Sequence, residues 1–280
     1  MSIITLTSDL GYKDHYLPSL KASIFSQLEN VNIIDISHEI ESFNILQAAY
    51  VLKNCYKDFP RDTVHIIAID DELSVDNDHI AVYAHGQYFI GADNGFFSIL
   101  LDDFKPDKII SLNINQKTDY LTFASRDVFV TAACHLKRGG TLEVIGKEIN
   151  DFKVKKNLLM PVIETNSLKG IVTYIDSYGN AITNVDLKTF QKYIGNRNFS
   201  ILFGREDEEI KKISTKYKEV EIAEKLAIFN SNNYLQISIN QGNANTLLGL
   251  NFFDTIRIDF WWLLYLKKNF YFLQRIKLEY

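Results

Sequence analysis

Neither glycine signature of a nucleotide site occurs in this chain. No Gly-x-Gly-x-x-Gly opens a helix after a strand, and no Gly-Lys-Ser/Thr closes a phosphate loop. Cysteine is scarce too. Cys55 and Cys134 cannot build a disulfide framework or a zinc site between them. Both fall in predicted helices, where an inert buried thiol is the default. Basic charge is short: the formal net charge of −5 argues against a nucleic-acid binder, which needs a positive surface to displace counterions. No apolar run reaches the roughly 20 residues of a membrane span. Internal repeats and low-complexity segments are absent. None of the six histidines has a partner at metal-ligand spacing. His38 and His135 lie near predicted site elements, but structural roles are the expectation for all six.

What remains is an ordinary globular composition, 46% hydrophobic and 23% charged over 280 residues, enough for two cores. The first residues open directly into a strand without a basic and apolar leader, which points to the cytoplasm.

Residues 3–7 are a β-branched run, and residues 33–36, 64–69 and 108–112 are further strands. Residues 80–83 with 88–90 read as a hairpin. Asp14 is placed to cap a helix whose Leu17, Leu20, Ile24 and Leu28 share one face. Asn44 and Gln47 resemble a capping box opening a helix over 45–56. A further helix over 127–137 ends at Gly139-Gly140. Alternation of this kind predicts an α/β domain over residues 1–155 with a mostly parallel sheet.

From about Met160 the pattern changes to short strands at 170–175, 181–185, 199–203, 226–230, 234–239 and 255–260. These predict a smaller, all-β, barrel-like domain over residues 160–260, joined by a linker near 153–159. The charged stretch 205–218 reads as a solvated excursion. Residues 261–280 form a basic aromatic tail in which Lys267, Lys268, Arg275 and Lys277 outnumber Glu279. It either lies on a membrane surface or a neighbouring subunit, or is an appended segment that docks on its own domain or is poorly ordered; the last is preferred.

Two stretches carry the chemistry: Thr7-Ser8-Asp9-Leu10-Gly11-Tyr12-Lys13-Asp14, and Tyr174-Ile175-Asp176-Ser177-Tyr178-Gly179-Asn180 running on to Asn184. Each follows an apolar strand, so each sets carboxylates and amides at the mouth of a sheet, where open α/β folds bind small molecules. Carboxylates facing a ligand favour sugar hydroxyls or a cation over a polyphosphate, and suit a nucleoside with a positive or neutral tail. Asp9 either accepts from two vicinal ribose hydroxyls or caps the loop that follows. Asp70 ends an apolar strand and is a candidate general base or metal ligand; Glu72, Asp76 and Asp78 belong to an exposed acidic loop that does not match a hard-cation spacing. Asp93-Asn94-Gly95 reads as a plain turn. Ser125 or Asp127 is a helix cap, or Ser125 serves an anion or polarised water. Asn180 can read a purine edge and Tyr178 can stack on it, or both belong to an ordinary glycine turn.

In combination several segments resemble the S-adenosylmethionine hydroxide adenosyltransferases, a family that includes chlorinases and fluorinases. They are Thr7-Ser8-Asp9-Leu10-Gly11, Asp35-Ile36-Ser37-His38-Glu39-Ile40, Phe59-Pro60, Thr63-Val64-His65, Asp93-Asn94-Gly95, Ser125-Arg126-Asp127-Val128-Phe129, and Asp176 to Asn184. The resemblance covers roughly residues 3–260. It implies an α/β domain, a β-barrel domain and a homotrimer with active sites between neighbouring subunits. It implies that Asp9 holds the ribose, Phe43 stands beside the ligand, Asp176, Tyr178 and Asn180 form the second motif with adenine on the last two, and Asp14, Ser231 and Asn232 face the methionine end.

The implied reaction is attack by water or hydroxide on the ribose C5′ of S-adenosylmethionine, giving adenosine and methionine, with no cofactor and no metal. Asp70 would be the water-orienting base and Ser125 a supporting donor. Two positions depart from the family's hydrolases: Asn77 stands where an arginine is expected, and Ala124 where a histidine is. The alternatives are a protein that binds adenosine or S-adenosylmethionine without turnover and, less favoured, halide-dependent adenosyl transfer.

Overall fold

The computed structural model describes residues 2–102, 104–115, 122–155, 160–204 and 208–262. The chain divides into two compact units, Met1–Asn157 and Leu158–Tyr280.

The first unit is built on a seven-stranded sheet. Its strands are β1 (Ile3–Ser8), β2 (Asn32–Ser37), β3 (Val64–Ala68), β4 (His79–Ala84), β5 (Gln87–Ala92), β6 (Lys108–Leu112) and β7 (Gly146–Glu148), in the order β2-β1-β3-β5-β4-β6-β7. Four strands, β2, β1, β3 and β5, are parallel; β4, β6 and β7 join antiparallel. The sheet is therefore mixed rather than mostly parallel. The tight Ala84 to Gln87 connection is a hairpin, and a two-residue turn forces antiparallel pairing.

Both faces of β1 are buried, which is why its sequence is a near-continuous apolar and β-branched run. Ile4 and Leu6 share a core with Val64, Ile66, Ile90 and Ile110. That core is closed by α1 (Tyr16–Phe25), through Leu17, Leu20 and Ile24, and by the helix Val130–Lys137. Each such fully buried aliphatic side chain contributes about 1.5–3 kcal/mol. The capping expectation for Asp14 does not hold: His15 occupies the N-cap, no side chain caps the helix, and Asp14 is exposed. The helix is held by its apolar face instead.

α2 (Ile45–Lys53) is capped as expected, Asn44 Oδ1 accepting the Gln47 N–H at 3.0 Å. The box is only half made, because Gln47 Oε1 accepts from Glu41 N–H. α2 packs against α3 (Phe96–Leu101), and Phe97 reaches Gly91 and Ile67 on the opposite sheet face from Ile66. On that face lies His65, with Thr5 Oγ1 at 2.7 Å from Nδ1 and Gln87 Oε1 at 3.1 Å from Nε2. The Gln87 amide nitrogen donates to the Tyr56 and Phe59 carbonyls, so Nε2–H is the donor to Gln87 and Nδ1 accepts from Thr5. Burial pushes the His65 pKa down to about 4. This histidine is structural.

The predicted helix over 127–137 begins earlier, as a π-helical turn Ser125–Phe129 that runs into α4 (Val130–Lys137). The start of the expected linker is fastened to the first unit: Lys153 N–H donates to Asp93 and Lys155 N–H to Ser98. Residues 156–159 lie outside the described residues.

The second unit holds a nine-stranded sheet: β8 (Val162–Ile163), β9 (Ser167–Ile175), β10 (Ala181–Asp186), β11 (Asn198–Phe203), β12 (Glu208–Ile210), β13 (Ile213–Ser214), β14 (Lys225–Phe229), β15 (Tyr234–Ile239) and β16 (Thr255–Trp261). The path runs β12-β11-β16-β9-β10-β15-β14-β13, with β8 beside β9. All pairs are antiparallel except β13 with β14. β12 at one edge approaches β14 near the other, so the sheet curls toward a barrel.

The unit is not all-β. Helices α5 (Leu187–Ile194) and α6 (Ala244–Leu248) interrupt it, capped by Asp186 and Asn243, and Phe190 of α5 joins the core with Val172, Ile201, Leu235 and Ile258. Part of the predicted excursion over 205–218 contains β12 and β13. Trp261 is the last residue of β16 rather than the first of a tail; residues 263–280 are outside the described residues. Among the described residues no helix is long and apolar enough to cross a membrane.

Candidate active site

In the first unit the chain leaves β1 toward β2 on one side, then returns past β1 to β3 on the other. The carboxyl ends of β1 and β3 therefore flank the topological switch point, the position where open α/β sheets bind ligands. Asp9 follows β1 and Asp70 follows β3, with Ser8 and Ala68 in register just before them. Their charges lie close enough for Asp70 to raise the Asp9 pKa. Burial is the larger cause of that rise, and the Phe43 N–H opposes it.

Asp9 Oδ2 accepts the Phe43 N–H at 2.9 Å. Phe43 has a left-handed φ of 65° and a ring 72% exposed, so the loop after β2 is bent to present an aromatic side chain beside Asp9. Under this loop His38 is fully enclosed. Ser8 Oγ stands 2.6 Å from its Nδ1, Asp35 Oδ1 stands 3.0 Å from its Nε2, and Asp35 is paired with Lys21. Burial drives the His38 pKa down against the pull of Asp35. Gly11 N–H donates to the His38 carbonyl at 2.8 Å, which ties the two loops together.

Asp70 is half-buried and also left-handed, with φ 46°. Asn94, buried after β5, accounts for this conformation: its Nδ2 donates to the carbonyls of Ile69 (3.0 Å) and Asp70 (3.3 Å), and its Oδ1 accepts the Phe96 N–H. The plain turn expected at Asp93-Asn94-Gly95 is thus a brace for the Asp70 backbone. Asn94 escaped the sequence reading because Asn-Gly is so common a turn signal.

Asp71 was missed as well. Its Oδ2 accepts the Ser125 N–H at 3.0 Å, and its carbonyl meets His79 Nε2 at 2.9 Å. Burial pushes the Asp71 pKa up, against the Ser125 hydroxyl and N–H, which favour its charge. That hydroxyl is buried near the Asp71 carboxylate without being aligned for a regular hydrogen bond to it. Ala124 beside it is wholly enclosed.

Asn77 lies in the β3–β4 loop. It exchanges backbone hydrogen bonds with Ser74, and no hydrogen bond joins it to Asp70 among the described residues. Asp14 is exposed just ahead of α1, where the ring of Tyr16 meets Phe123 edge-on at 5.4 Å. Asp9, Phe43, Asp70 and Ser125 thus sit on loops at one end of the sheet, connected through Asp71 and Asn94. A separate cavity of about 820 Å³ is lined by Asp62, Tyr83, Tyr88, Lys137 and Gly140, and holds none of the residues singled out from the sequence.

In the second unit Asp176 organises its own turn. Oδ1 accepts the N–H groups of Tyr178 and Asn180, each at 2.9 Å, and Oδ2 accepts Asn180 Nδ2 at 2.8 Å. Three bonds leave Asp176 a scaffold, and they leave the Asn180 side-chain oxygen as a fixed acceptor. Gly179 is required here: its φ is 79°, and a Cβ would come within 2.1 Å of Asn243.

Tyr178, 80% exposed, and Asn180 line a cavity of about 1040 Å³ together with Tyr217, Ile239, Asn240 and Asn243. The Tyr217 hydroxyl accepts from Gln236 Nε2 at 2.9 Å, which fixes this second ring. Tyr217 had no sequence signal, since it lies in a charged stretch. Ser231 and Asn232 are exposed in the β14–β15 turn and do not line that cavity. β10 pairs with β15 through Ala181–Ile237 and Asp186–Tyr234, so the turns at 176–180 and 230–233 lie at opposite ends of these strands.

Among the described residues no cluster of histidine, cysteine, aspartate or glutamate is arranged to hold a metal ion. In the first unit the carboxylates suit sugar hydroxyls or a cation rather than a phosphate, and in the second the cavity lined by two tyrosines suits a planar ring.

Comparison with known proteins agrees with that chemistry. Models for the SAM hydroxide adenosyltransferase N-terminal and C-terminal domains match residues 4–146 and 170–257. The chain is similar to the (R)-S-adenosyl-L-methionine hydrolase of Methanocaldococcus jannaschii, 31% identical over 268 residues, covering 92% of this chain and 96% of that one. It is 24% identical to the fluorinase of Actinopolyspora mzabensis, over 65% of this chain and 71% of that protein. An uncharacterized conserved protein from Thermotoga maritima has a solved structure that superposes with a TM-score of 0.82 at 30% identity, covering 92% of this chain and 99% of that one. With both halves matched in order and across nearly its whole length, this chain belongs to the SAM hydroxide adenosyltransferase family.

Proposed function

We propose that the protein hydrolyses S-adenosylmethionine to adenosine and methionine. The observation that carries this reading is the pair Asp9 and Asp70 at the switch point, a ribose acceptor beside a carboxylate that can orient water. The names of the relatives support hydrolysis over halide transfer, and so does charge: a carboxylate beside the nucleophile site repels a halide and favours a neutral water.

In the proposed reaction Asp9 accepts from the ribose hydroxyls. A water oriented by Asp70, with Ser125 as a further donor, attacks C5′ opposite the sulfonium. The O–C5′ bond forms as the C5′–S bond breaks; the electron pair leaves with methionine sulfur, and the surplus water proton passes to Asp70. A sulfonium is already a good leaving group, so neither a general acid nor a cofactor is required. The protein's contribution is alignment and desolvation of the nucleophile.

In the second unit, Tyr178 and Tyr217 take the adenine between them and Asn180 accepts from its amino group. For the methionine end the family reading proposes Asp14, Ser231 and Asn232. The family reading further proposes a homotrimer with sites formed by neighbouring subunits, acting in the cytoplasm.

A second reading, binding without turnover, rests on Ala124, which offers no polar side-chain group, and on Asn77, which among the described residues makes no hydrogen bond to Asp70. Incubation with each sulfonium epimer of S-adenosylmethionine decides between the two. Release of adenosine and methionine that is lost in Asp70→Asn supports hydrolysis; tight binding with no product supports the second reading. A halogenated nucleoside formed only with added halide would replace both.

A further inference from the structure

Asp71 is half-buried in the loop that carries Asp70, yet it points its carboxylate at a different element, the start of the π-helical turn. That turn begins with Ser125, a residue 1% exposed whose buried hydroxyl has no aligned hydrogen-bond partner among the described residues. A buried hydroxyl without a partner is costly unless something else engages it. A π-helical turn inside a helix is itself a rare feature that tends to mark functional positions. The Asp71 bond to the Ser125 N–H satisfies one backbone donor at the start of that turn, and Asp71 directly follows the left-handed Asp70.

We infer that Asp71 is a positioning residue of this site: by accepting the Ser125 N–H it fixes the π-helical turn and so places the Ser125 hydroxyl to serve the small nucleophile taken in beside Asp70. This deepens the hydrolase reading and rests on it. The groups facing Asp71 from neighbouring elements are Asp9 after β1, which disfavours its charge, His79 of β4, which favours it, and Ser125. Burial opposes ionisation most strongly, so the carboxylate loses its charge at a higher pH than an ordinary aspartate, and the hold on the turn weakens there.

The experiment compares wild type with Asp71→Asn, which keeps an acceptor oxygen but cannot titrate, and Asp71→Ala, which keeps neither. Adenosine release is followed along the acid limb of the pH profile, and backbone amide exchange is read over residues 122–130. The expected results are an acid limb in kcat displaced in Asp71→Asn, and a kcat lowered about ten- to a hundred-fold in Asp71→Ala with KM little changed. Amide exchange in Asp71→Ala should quicken at residues 125–129 while the rest of the unit stays protected.

An unchanged acid limb in Asp71→Asn together with wild-type kcat and exchange in Asp71→Ala overturns the assignment. If wild type releases no adenosine, the hydrolase reading fails and exchange alone judges Asp71: faster exchange confined to the turn supports its hold, and unchanged exchange removes it. Asp71→Asn is nearly isosteric and keeps the test usable should Asp71→Ala not fold.

Discussion

The Asn94 side-chain amide lies 3.3 Å from the Asp70 carbonyl and 3.0 Å from that of Ile69, so one buried amide holds the peptide that aims Asp70. Without it two buried carbonyls lose a partner and the left-handed backbone at Asp70 loses its support. Asn94→Ala is expected to cost about 1–3 kcal/mol of stability, measured by denaturant unfolding. It should also lower kcat more than it raises KM, because the carboxylate's direction rather than substrate contact is lost.

Asp9 predicts a pH dependence in binding. Its pKa is raised, chiefly by burial, and the charged form, with both oxygens as acceptors, binds two hydroxyls more strongly than the neutral acid. Adenosine affinity should therefore fall as pH drops through that raised pKa, and 2′-deoxyadenosine should show a weaker dependence. Folding runs the other way: a raised carboxyl pKa stabilises the fold below the unfolded value and loses that contribution as pH rises through the folded one. Titration calorimetry across the acid range, with Asp9→Asn as control, checks both.

His65 gives a stability prediction that is independent of catalysis. Its pKa falls from 6.5 to about 4 because the ring is buried neutral. Stability is thus full above the unfolded pKa and declines as pH falls from there toward the folded one. The shift corresponds to up to about 3 kcal/mol. Unfolding followed over that window should show this loss, and His65→Gln should flatten it.

The two-tyrosine cavity predicts where adenine affinity resides. Tyr178→Ala and Tyr217→Ala should each weaken adenosine binding by about 1–3 kcal/mol, the range for base stacking on an aromatic ring. Fold stability should barely change for the highly exposed Tyr178. Equal affinity in both variants would empty that cavity of its assigned ligand.

The sequence was most readable where one period dominates. β1, β6 and β15 and the Asn44 cap stood out because buried runs and caps leave local patterns. Asp9 and Asp70 were legible for the same reason: each ends an apolar strand. The β4–β5 hairpin was legible from its tight turn, but the antiparallel pairing of β6 and β7 was not, because it depends on partners distant in the chain. Nor were α5 and α6, short helices stabilised by an Asp186 or Asn243 cap and a single buried side chain such as Phe190. The roles of Asp71, Asn94 and Tyr217 were not legible for a different reason. Each acts through a long-range contact, to Ser125, Asp70 and Gln236 respectively, while its immediate neighbours look like loop.

The central claim is attack by water at C5′ under the direction of Asp70. The most direct measurement runs the reaction in heavy-oxygen water and weighs the adenosine formed. The account predicts one solvent oxygen in the 5′-hydroxyl group, at a rate that falls at least about a hundred-fold in Asp70→Asn. Adenosine without the label, or labelled adenosine made equally fast by Asp70→Asn, would contradict it.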